Sequence, residues 1–214
     1  MWKWIIGVGI VLVAVVGGLV FFMFKGPDLA QYEPLKEPRI TAKADAYVLE
    51  VPFEVPAGQL QEVFGVLMKT YFSLSGVPKG PGMSAPAARY ENMLDMSLPP
   101  EERLKQLEKS PWKGSAAIPV PATVQSLPPA KAGAGLAPRL GTWAYGEVAE
   151  ILHVGPYDTE SETIQKLTDY IAAQGYEIAG PHEEEYLRGP GMPFTSPKDY
   201  YTIIRYQVRK KAEM

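Results

Sequence analysis

A strand, a Gly-Pro corner and an amphipathic helix follow one another over residues 147–175. Residues 147–154 alternate as they do in a β-strand. Gly155-Pro156 ends this strand, because proline cannot extend a ladder and glycine turns freely. The helix that follows carries an apolar stripe at helical period, formed by Ile164, Leu167 and Ile171. Thr159 and Glu162 are spaced as a capping box, and Gly175 lies where a helix C-cap is expected. This order predicts one layer of an α+β domain.

A weaker copy of the same pattern lies about a hundred residues earlier. Residues 47–52 form a strand that ends in proline, and residues 60–68 carry a second helical stripe. Gly80-Pro81 then precedes Tyr90, as Gly180-Pro181 precedes Tyr186. The sequence predicts an α+β fold of duplicated strand-helix-strand-strand units, over about residues 40–120 and 143–209. Such units would form a pseudo-twofold antiparallel sheet with two main helices and a groove between its halves.

The N-terminal stretch from Trp4 to Phe24 contains no charged residue. A helix of about 21 residues is roughly 30 Å long, which matches the thickness of a bilayer core. The residues that follow lack the small-x-small site at which a signal peptide is cleaved. We therefore expect a single-pass transmembrane anchor over residues 1–25 and a proline-rich, extended linker over 26–39. The globular domain would lie outside the cytoplasm, because a short N-tail left inside is the simplest topology, and residues 210–214 would form a tail.

Composition and missing motifs narrow the range of functions. The chain has no cysteine, which excludes disulfides, thiol chemistry and Cys-ligated zinc. Its net charge is −3 and it has no basic run, so we expect no nucleic-acid partner. The motifs of the common catalytic classes are missing, and we expect no cofactor, no metal and no catalytic residue. His182 beside Glu183–Glu185 could in principle ligate a metal, but an acidic turn in solvent is the preferred interpretation.

The candidate site centres on Glu184 and Tyr186. Residues two apart on a strand share a face, so these two side chains point the same way. An acid and an aromatic ring in a dry groove would attract an organic cation, with ~0.5–2 kcal/mol from each cation–π contact. The same carboxylate could serve as a general base. Further candidates for the aromatic wall are Tyr157, Trp143, Tyr145 and Tyr201, each of which could equally be an ordinary core or surface aromatic.

These residues carry a family resemblance. His153-Val-Gly-Pro-Tyr157, a helix, Gly180-Pro181, then Glu184-x-Tyr186-Leu187 and a final alternating strand resemble the GyrI-like small-molecule-binding domain. That domain is also the effector-binding module of AraC- and MerR-type regulators, and it is related to the SOUL fold. The resemblance is stronger over residues 143–209 than over 40–120. It implies a duplicated α+β sandwich whose pocket binds lipophilic, often cationic, aromatic compounds, with Glu184 as the pocket glutamate and Tyr186 as its neighbouring tyrosine.

Two departures from the family pattern affect the functional hypotheses. Family members often carry an acid in the last strand, where this chain has Ile203, and no DNA-binding helix-turn-helix precedes the domain. Our main hypothesis is a membrane-anchored, non-catalytic domain that binds an amphipathic or cationic aromatic ligand. One alternative is a hydrolase of electrophilic small molecules that uses Glu184 and Tyr186, as some family members do. Another is a protein-interaction module without a pocket, whose partner the sequence does not name.

Overall fold

The computed structural model of the chain describes residues 28–92, 102, 111–128, 135–190, 192 and 195–212. Two α-helices, α1 (Leu60–Ser73) and α2 (Glu160–Ala173), lie among eight strands. The strands are β1 (Arg39–Lys43), β2 (Ala46–Val55), β3 (Ala87–Tyr90), β4 (Trp112–Pro119), β5 (Arg139–Trp143), β6 (Gly146–Val154), β7 (Tyr176–Arg188) and β8 (Tyr201–Lys210). Short 3-10 helices lie at Leu29–Lys36, Ala57–Gln59, Gly80–Gly82, Tyr157–Thr159 and Pro197–Asp199.

All eight strands form one antiparallel sheet in the order β1-β6-β8-β7-β3-β4-β2-β5. Strands β1–β4 with α1 form the first half, and β5–β8 with α2 form the second. The halves meet where β3 pairs with β7. The first strand of each half is exchanged, because β1 pairs with β6 and β5 pairs with β2. The predicted duplication is therefore present, but each half contains one strand more than the sequence indicated.

The pairing register makes the twofold relation explicit. Ala88 and Glu184 occupy equivalent positions and pair with each other across the β3–β7 junction. Two equivalent ion pairs lie at the ends of the sheet, where Arg39 binds Glu150 at 2.7 Å and Arg139 binds Glu50 at 2.7 Å. Both pairs join an exchanged strand to the opposite half, so each half contributes to holding the other.

Both helices cover the same face of the sheet, which we call the helix face. In α1, Val63, Leu67 and Tyr71 pack against β2 and β4. In α2, Ile164, Leu167 and Ile171 pack against β6 and β8. Burying a leucine side chain of this kind contributes about 1.5–3 kcal/mol, so the two stripes hold the helices on the sheet.

The ends of α2 follow the prediction only in part. The capping box is not formed, since the Thr159 hydroxyl donates to the carbonyl of Pro156 at 2.8 Å rather than capping the helix. Gly175 has φ +76°, the left-handed conformation that a helix C-cap requires.

A row of paired residues crosses six strands on the helix face. Neighbouring members are cross-strand partners, so their side chains share one face. The row runs Val51, Ala116, Ala88, Glu184, Ile204 and Ile151. Five of its six members are apolar, and Glu184 is the charged exception at the centre of the sheet.

The opposite face, which we call the polar face, carries a cross-strand row of alternating charge. Paired positions on β3, β7, β8, β6 and β1 hold Arg89, Glu183, Arg205, Glu150 and Arg39. Arg205 is 3% exposed and bonds to Glu150, Glu183 and Glu185. Burial acts to lower the pKa of Arg205, but these three carboxylates outweigh it and raise that pKa. Each charged side chain in the row therefore has a neighbour of opposite charge.

The segment predicted as an extended linker over 26–39 is described from residue 28 onward, and that part differs from the prediction. Residues Leu29–Lys36 form a 3-10 helix, and Arg39 already belongs to β1. Asp28 accepts a hydrogen bond from the backbone N–H of Ala30 at the start of this helix. Leu35 is buried against Leu152, Leu187 and Ile203 on the polar face. Burial of this apolar side chain ties the segment to the sheet, so the extended-linker prediction is wrong for this stretch.

One further boundary differs from the prediction. The second repeat begins at Arg139 rather than at residue 143, since β5 precedes the predicted start. Gly180-Pro181 lies within β7, at a register shift between Ile178 and His182. Within the described part of the chain, we find no helix of the length and apolar character needed to cross a membrane. The predicted anchor over residues 1–25 lies outside the described residues.

Candidate functional site

A cluster of rings and acids lies on the helix face where the two halves meet, at the position of the predicted groove, and we call this cluster the central groove. Its members are Phe64, Tyr90, Trp112, Tyr157, Glu160, Glu184 and Tyr186. Phe64 of α1 stands edge-on to Tyr186 at 5.3 Å between ring centroids, and Tyr157 stands edge-on to the same ring at 6.0 Å. Trp112 stands edge-on to Tyr90 at 5.2 Å. Tyr186 therefore links α1 to the turn that precedes α2.

A chain of hydrogen bonds holds Glu184 in this groove. His182 Nε2 lies 2.8 Å from Glu184 Oε1, and the Tyr186 hydroxyl donates to Glu184 Oε2 at 2.6 Å. At its two ends, the chain continues from His182 Nδ1 to the Tyr206 hydroxyl at 2.9 Å, and from Tyr186 to the Tyr90 hydroxyl at 2.7 Å. Tyr90 and Tyr186 are equivalent under the twofold relation, so this last bond lies on the axis.

One arrangement of protons satisfies every member of the chain. An ionised carboxylate only accepts, so His182 donates from Nε2 and its Nδ1 accepts from Tyr206. Since the Tyr186 proton goes to Glu184, Tyr90 donates to the Tyr186 oxygen. Glu184 thus receives two hydrogen bonds as a carboxylate, although only 9% of it is exposed. These two hydrogen bonds hold the Glu184 side chain in one orientation before any ligand arrives.

Glu160, the first residue of α2, is a second acid in the groove. It is 6% exposed, and its Oε1 has no hydrogen-bond partner among the described residues. Burial and the nearby Glu184 carboxylate raise the pKa of Glu160 to about 9. Since Glu184 has two donors and Glu160 Oε1 has none, the pair holds its proton on Glu160 at neutral pH.

The tyrosines of the groove remain protonated. Burial and the Glu184 carboxylate raise the pKa of Tyr186 well above its ordinary value. Burial, then Glu184, and more weakly Glu160, do the same for the pKa of Tyr90. His153 lies next to the Gly155-Pro156 corner, with Nδ1 2.8 Å from the Thr163 hydroxyl. Burial lowers the pKa of His153. The groove therefore combines neutral rings and hydroxyls with one fixed negative charge.

The structure brings together three of the six residues predicted to line the site. Glu184, Tyr186 and Tyr157 meet in the central groove, and Tyr157 is 37% exposed at its edge. The expectation that residues 183–185 form an acidic turn in solvent is wrong, because all three lie within β7. Alternation along this strand places Glu184 on the helix face and Glu183 and Glu185 on the polar face.

Trp143, Tyr145 and Tyr201 lie on the polar face, so the prediction that they share a wall with Glu184 is wrong. The Trp143 indole donates to Glu50 at 2.9 Å, and the Tyr145 hydroxyl donates to Glu183 at 3.0 Å. The Arg89 guanidinium lies 4.3 Å from the Trp143 ring and 4.6 Å from the Tyr145 ring. Tyr201 packs beside Leu152 and Leu187. The cations that the Trp143 and Tyr145 rings contact belong to the protein itself, since Lys43 Nζ also lies 4.9 Å from the Tyr145 ring.

A cavity of about 240 Å³ opens on the polar face, beneath the 3-10 helix Leu29–Lys36. Its charged lining comes from Arg39, Lys43, Glu150, Glu185 and Arg205. Arg39 and Arg205 already pair with Glu150, and Arg205 also pairs with Glu185. Three cations and two acids leave this cavity with an excess positive charge, which disfavours a cationic ligand. The central groove, with the acid Glu184 among aromatic rings, is therefore the better candidate site for the predicted ligand.

Sequence reasoning missed Glu160, Tyr90, Phe64 and Trp112. An acid in the first turn of a helix normally complements the helix dipole in solvent, so nothing local marked Glu160 as buried. Tyr90 could have been found from the twofold spacing that aligns it with Tyr186. Family members often carry an acid where this chain has Ile203. An acid at this position would not have entered the groove, because Ile203 packs on the polar face. Among the described residues, no group of three or more His, Asp and Glu side chains could hold a metal ion.

Comparison with known proteins supports the same fold. Residues 144–209 match the model of the family described as "GyrI-like small molecule binding domain". This match covers the second half of the duplicated domain and includes Glu160, Glu184 and Tyr186. A comparison with curated proteins finds no match.

Solved structures extend the likeness to both halves. An uncharacterized conserved protein from Listeria innocua superimposes with a TM-score of 0.62 at 16% identity, covering 86% of this chain and 100% of that one. A hydrolase from the same organism gives 0.60 at 16% identity, with the same coverage. The C-terminal domain of EcmrR gives 0.58 at 13% identity, covering 82% of this chain and 98% of that domain. At these identities the likeness shows the fold. The family match, over residues 144–209, is consistent with this fold.

Proposed function

We propose that the chain is a membrane-anchored binding domain for an amphipathic or cationic aromatic small molecule, and that it does not turn its ligand over. One observation carries this proposal: Glu184 is a buried carboxylate in an otherwise apolar row, surrounded by aromatic rings. The family match to a small-molecule-binding domain adds support.

The groove supplies what recognition of an organic cation needs. The Glu184 carboxylate provides the charge, and His182 and Tyr186 fix its position before any ligand arrives. The rings of Tyr157, Tyr186 and Phe64 provide faces and edges for an aromatic ligand. Each cation–π contact contributes about 0.5–2 kcal/mol, so three rings together contribute about 1.5–6 kcal/mol, and the Glu184 carboxylate supplies the further attraction that binding requires.

The test is to titrate the full chain, in a non-ionic detergent, with tetraphenylphosphonium by isothermal titration calorimetry. Titrations into detergent alone are subtracted. We expect saturable binding that Glu184→Gln weakens at least tenfold. Glu177→Gln is the matched control, because Glu177 lies on the same strand but is part-exposed and paired with Arg209. Triphenylphosphine oxide, which has similar rings and no charge, should bind at least tenfold more weakly. Equal binding by the wild type and Glu184→Gln would overturn the proposal.

A second candidate is hydrolysis of an electrophilic small molecule with Glu184 as base. The hydrogen bonds that join Glu184 to Tyr186 and Tyr90 favour it, as does the similar fold of a Listeria innocua protein described as a hydrolase. Glu184 would accept a proton from a water molecule as that water attacks a carbon of an epoxide. The ring C–O bond breaks, and the released alkoxide takes this proton from Glu184 to give the diol. Incubation with styrene oxide tests this role: diol formation that Glu184→Gln abolishes and Glu177→Gln retains would favour catalysis over simple binding.

The membrane anchor is part of the proposal and rests on the uncharged stretch Trp4–Phe24. The full chain should stay in the membrane fraction after a carbonate wash, whereas a chain that begins at Asp28 should be released. Protease added to intact cells would digest the domain if it lies outside the cytoplasm. Recovery of the full chain in the soluble fraction would exclude the anchor.

A further inference from the structure

Within the part of the chain that the structure describes, no hydrogen bond to Oε1 explains why Glu160 is buried. This atom is enclosed, and the acid nearest to influence it is Glu184, which raises the pKa of Glu160. Burying an acid beside a like charge destabilises the fold unless the acid is neutralised.

The twofold relation shows that the fold itself does not need an acid here. The residue equivalent to Glu160 at the start of α1 is Leu60, which packs against the first half of the core. The helix dipole does not require burial either, since Glu162 in the same first turn is exposed. Glu160 thus differs from Leu60 because it is an acid, and from Glu162 because it is buried in the groove.

Resting on the function proposed above, we propose that Glu160 is a second anionic anchor and that the groove binds an organic cation in exchange for a proton. In the free protein Glu160 is a neutral acid beside the Glu184 carboxylate. When the cation enters, the O–H bond of Glu160 breaks, its proton passes to solvent, and both carboxylates face the cation. The positive charge offsets the repulsion that kept Glu160 protonated.

The groups that face Glu160 come from several elements. Glu184 on β7 is its charged neighbour, and Tyr90 on β3 and Tyr157 in the preceding turn are neutral phenols. His153 on β6 lies near Glu184, and burial lowers its pKa. His182 holds Glu184 from the side away from Tyr186. Burial raises the pKa of Glu160 to about 9, so its ionisation can be driven by a ligand at neutral pH.

The experiment measures how many protons are released when the cation binds. The full chain is titrated with tetraphenylphosphonium at pH 7.5 in phosphate and in Tris, whose ionisation enthalpies differ, so the difference in heat gives the protons released. We expect about one proton for each cation bound by the wild type. Affinity should rise up to tenfold per pH unit between pH 6 and 8. Glu160→Gln should bind with release near zero and little dependence on pH. Glu162→Gln, on the same helix turn, should behave as the wild type.

The outcomes separate this inference from the function on which it rests. If neither the wild type nor Glu160→Gln binds the cation, the proposed function fails. If the wild type binds without releasing a proton, or Glu160→Gln releases as much, the exchange is refuted while cation binding stands. Should Glu160→Gln prove unfolded by circular dichroism, Glu160→Leu takes its place, because the equivalent position in α1 already holds leucine.

Discussion

The buried acid of the groove makes the stability of the free domain depend on pH. Glu160 has an ordinary pKa of 4.5 when unfolded and a pKa of about 9 when folded. Between these values the folded state binds more protons than the unfolded state, so the free energy of unfolding falls as pH rises. This contribution is fully present below pH 4.5 and is lost as pH rises through 9.

The size of the effect follows from the same two pKa values. Each pH unit between them costs up to about 1.4 kcal/mol, so from pH 5 to pH 7.5 the loss is about 3 kcal/mol. Glu160→Gln removes the ionisable group and therefore also removes this loss in the free energy of unfolding. We therefore expect this variant to gain about 3 kcal/mol relative to the wild type over that range, which is a large part of the stability of a typical domain.

Urea denaturation of the full chain at a series of pH values measures this difference without any ligand. The matched control is Glu162→Gln, whose curve should stay within about 0.5 kcal/mol of the wild type, because Glu162 is exposed. Parallel pH dependences for the wild type and Glu160→Gln would refute the reasoning, since they would mean that Glu160 is ionised in the folded protein.

Other predictions address the polar face and the twofold core. Arg205→Met should cost about 3–5 kcal/mol in thermal or urea denaturation, because it leaves three carboxylates without their shared cation, whereas Arg209→Met should cost less than about 1 kcal/mol at an exposed pair. Equal effects of the two changes would count against the buried charge row. Leu67→Ala and Leu167→Ala should each cost about 2–5 kcal/mol and resemble each other, since both are fully buried at equivalent positions, and a loss confined to one would contradict the equivalence of the halves.

Much of the architecture could be predicted from local patterns. Alternation marked β6 and β8, helical stripes marked α1 and α2, and the repeated order of strand, helix and Gly-Pro pointed to two halves. The same period of two placed Glu184 and Tyr186 on one face. These inferences succeeded because they depend on the spacing of residues within one element, which the sequence contains in full.

The structure alone decided which face of the sheet each aromatic occupies. Both faces of the sheet bury aromatic and apolar side chains, one beneath the two α-helices and the other around the charge row and beneath the 3-10 helix Leu29–Lys36. The sequence pattern of a strand therefore does not show which face an aromatic residue occupies. Trp143 and Tyr145 therefore resembled groove residues until their bonds to Glu50 and Glu183 placed them on the polar face.

The composition of the groove was likewise set by long-range packing. Tyr90 meets Tyr186 because the two halves join at β3 and β7, and Glu160 meets Glu184 because α2 docks with its first turn over the centre of the sheet. Patterns within a strand or helix fix which way a side chain points, but which residues meet across elements depends on how those elements pair. The sequence by itself thus determined the two halves and the orientation of Glu184, while only tertiary contacts determined that a second acid stands opposite it.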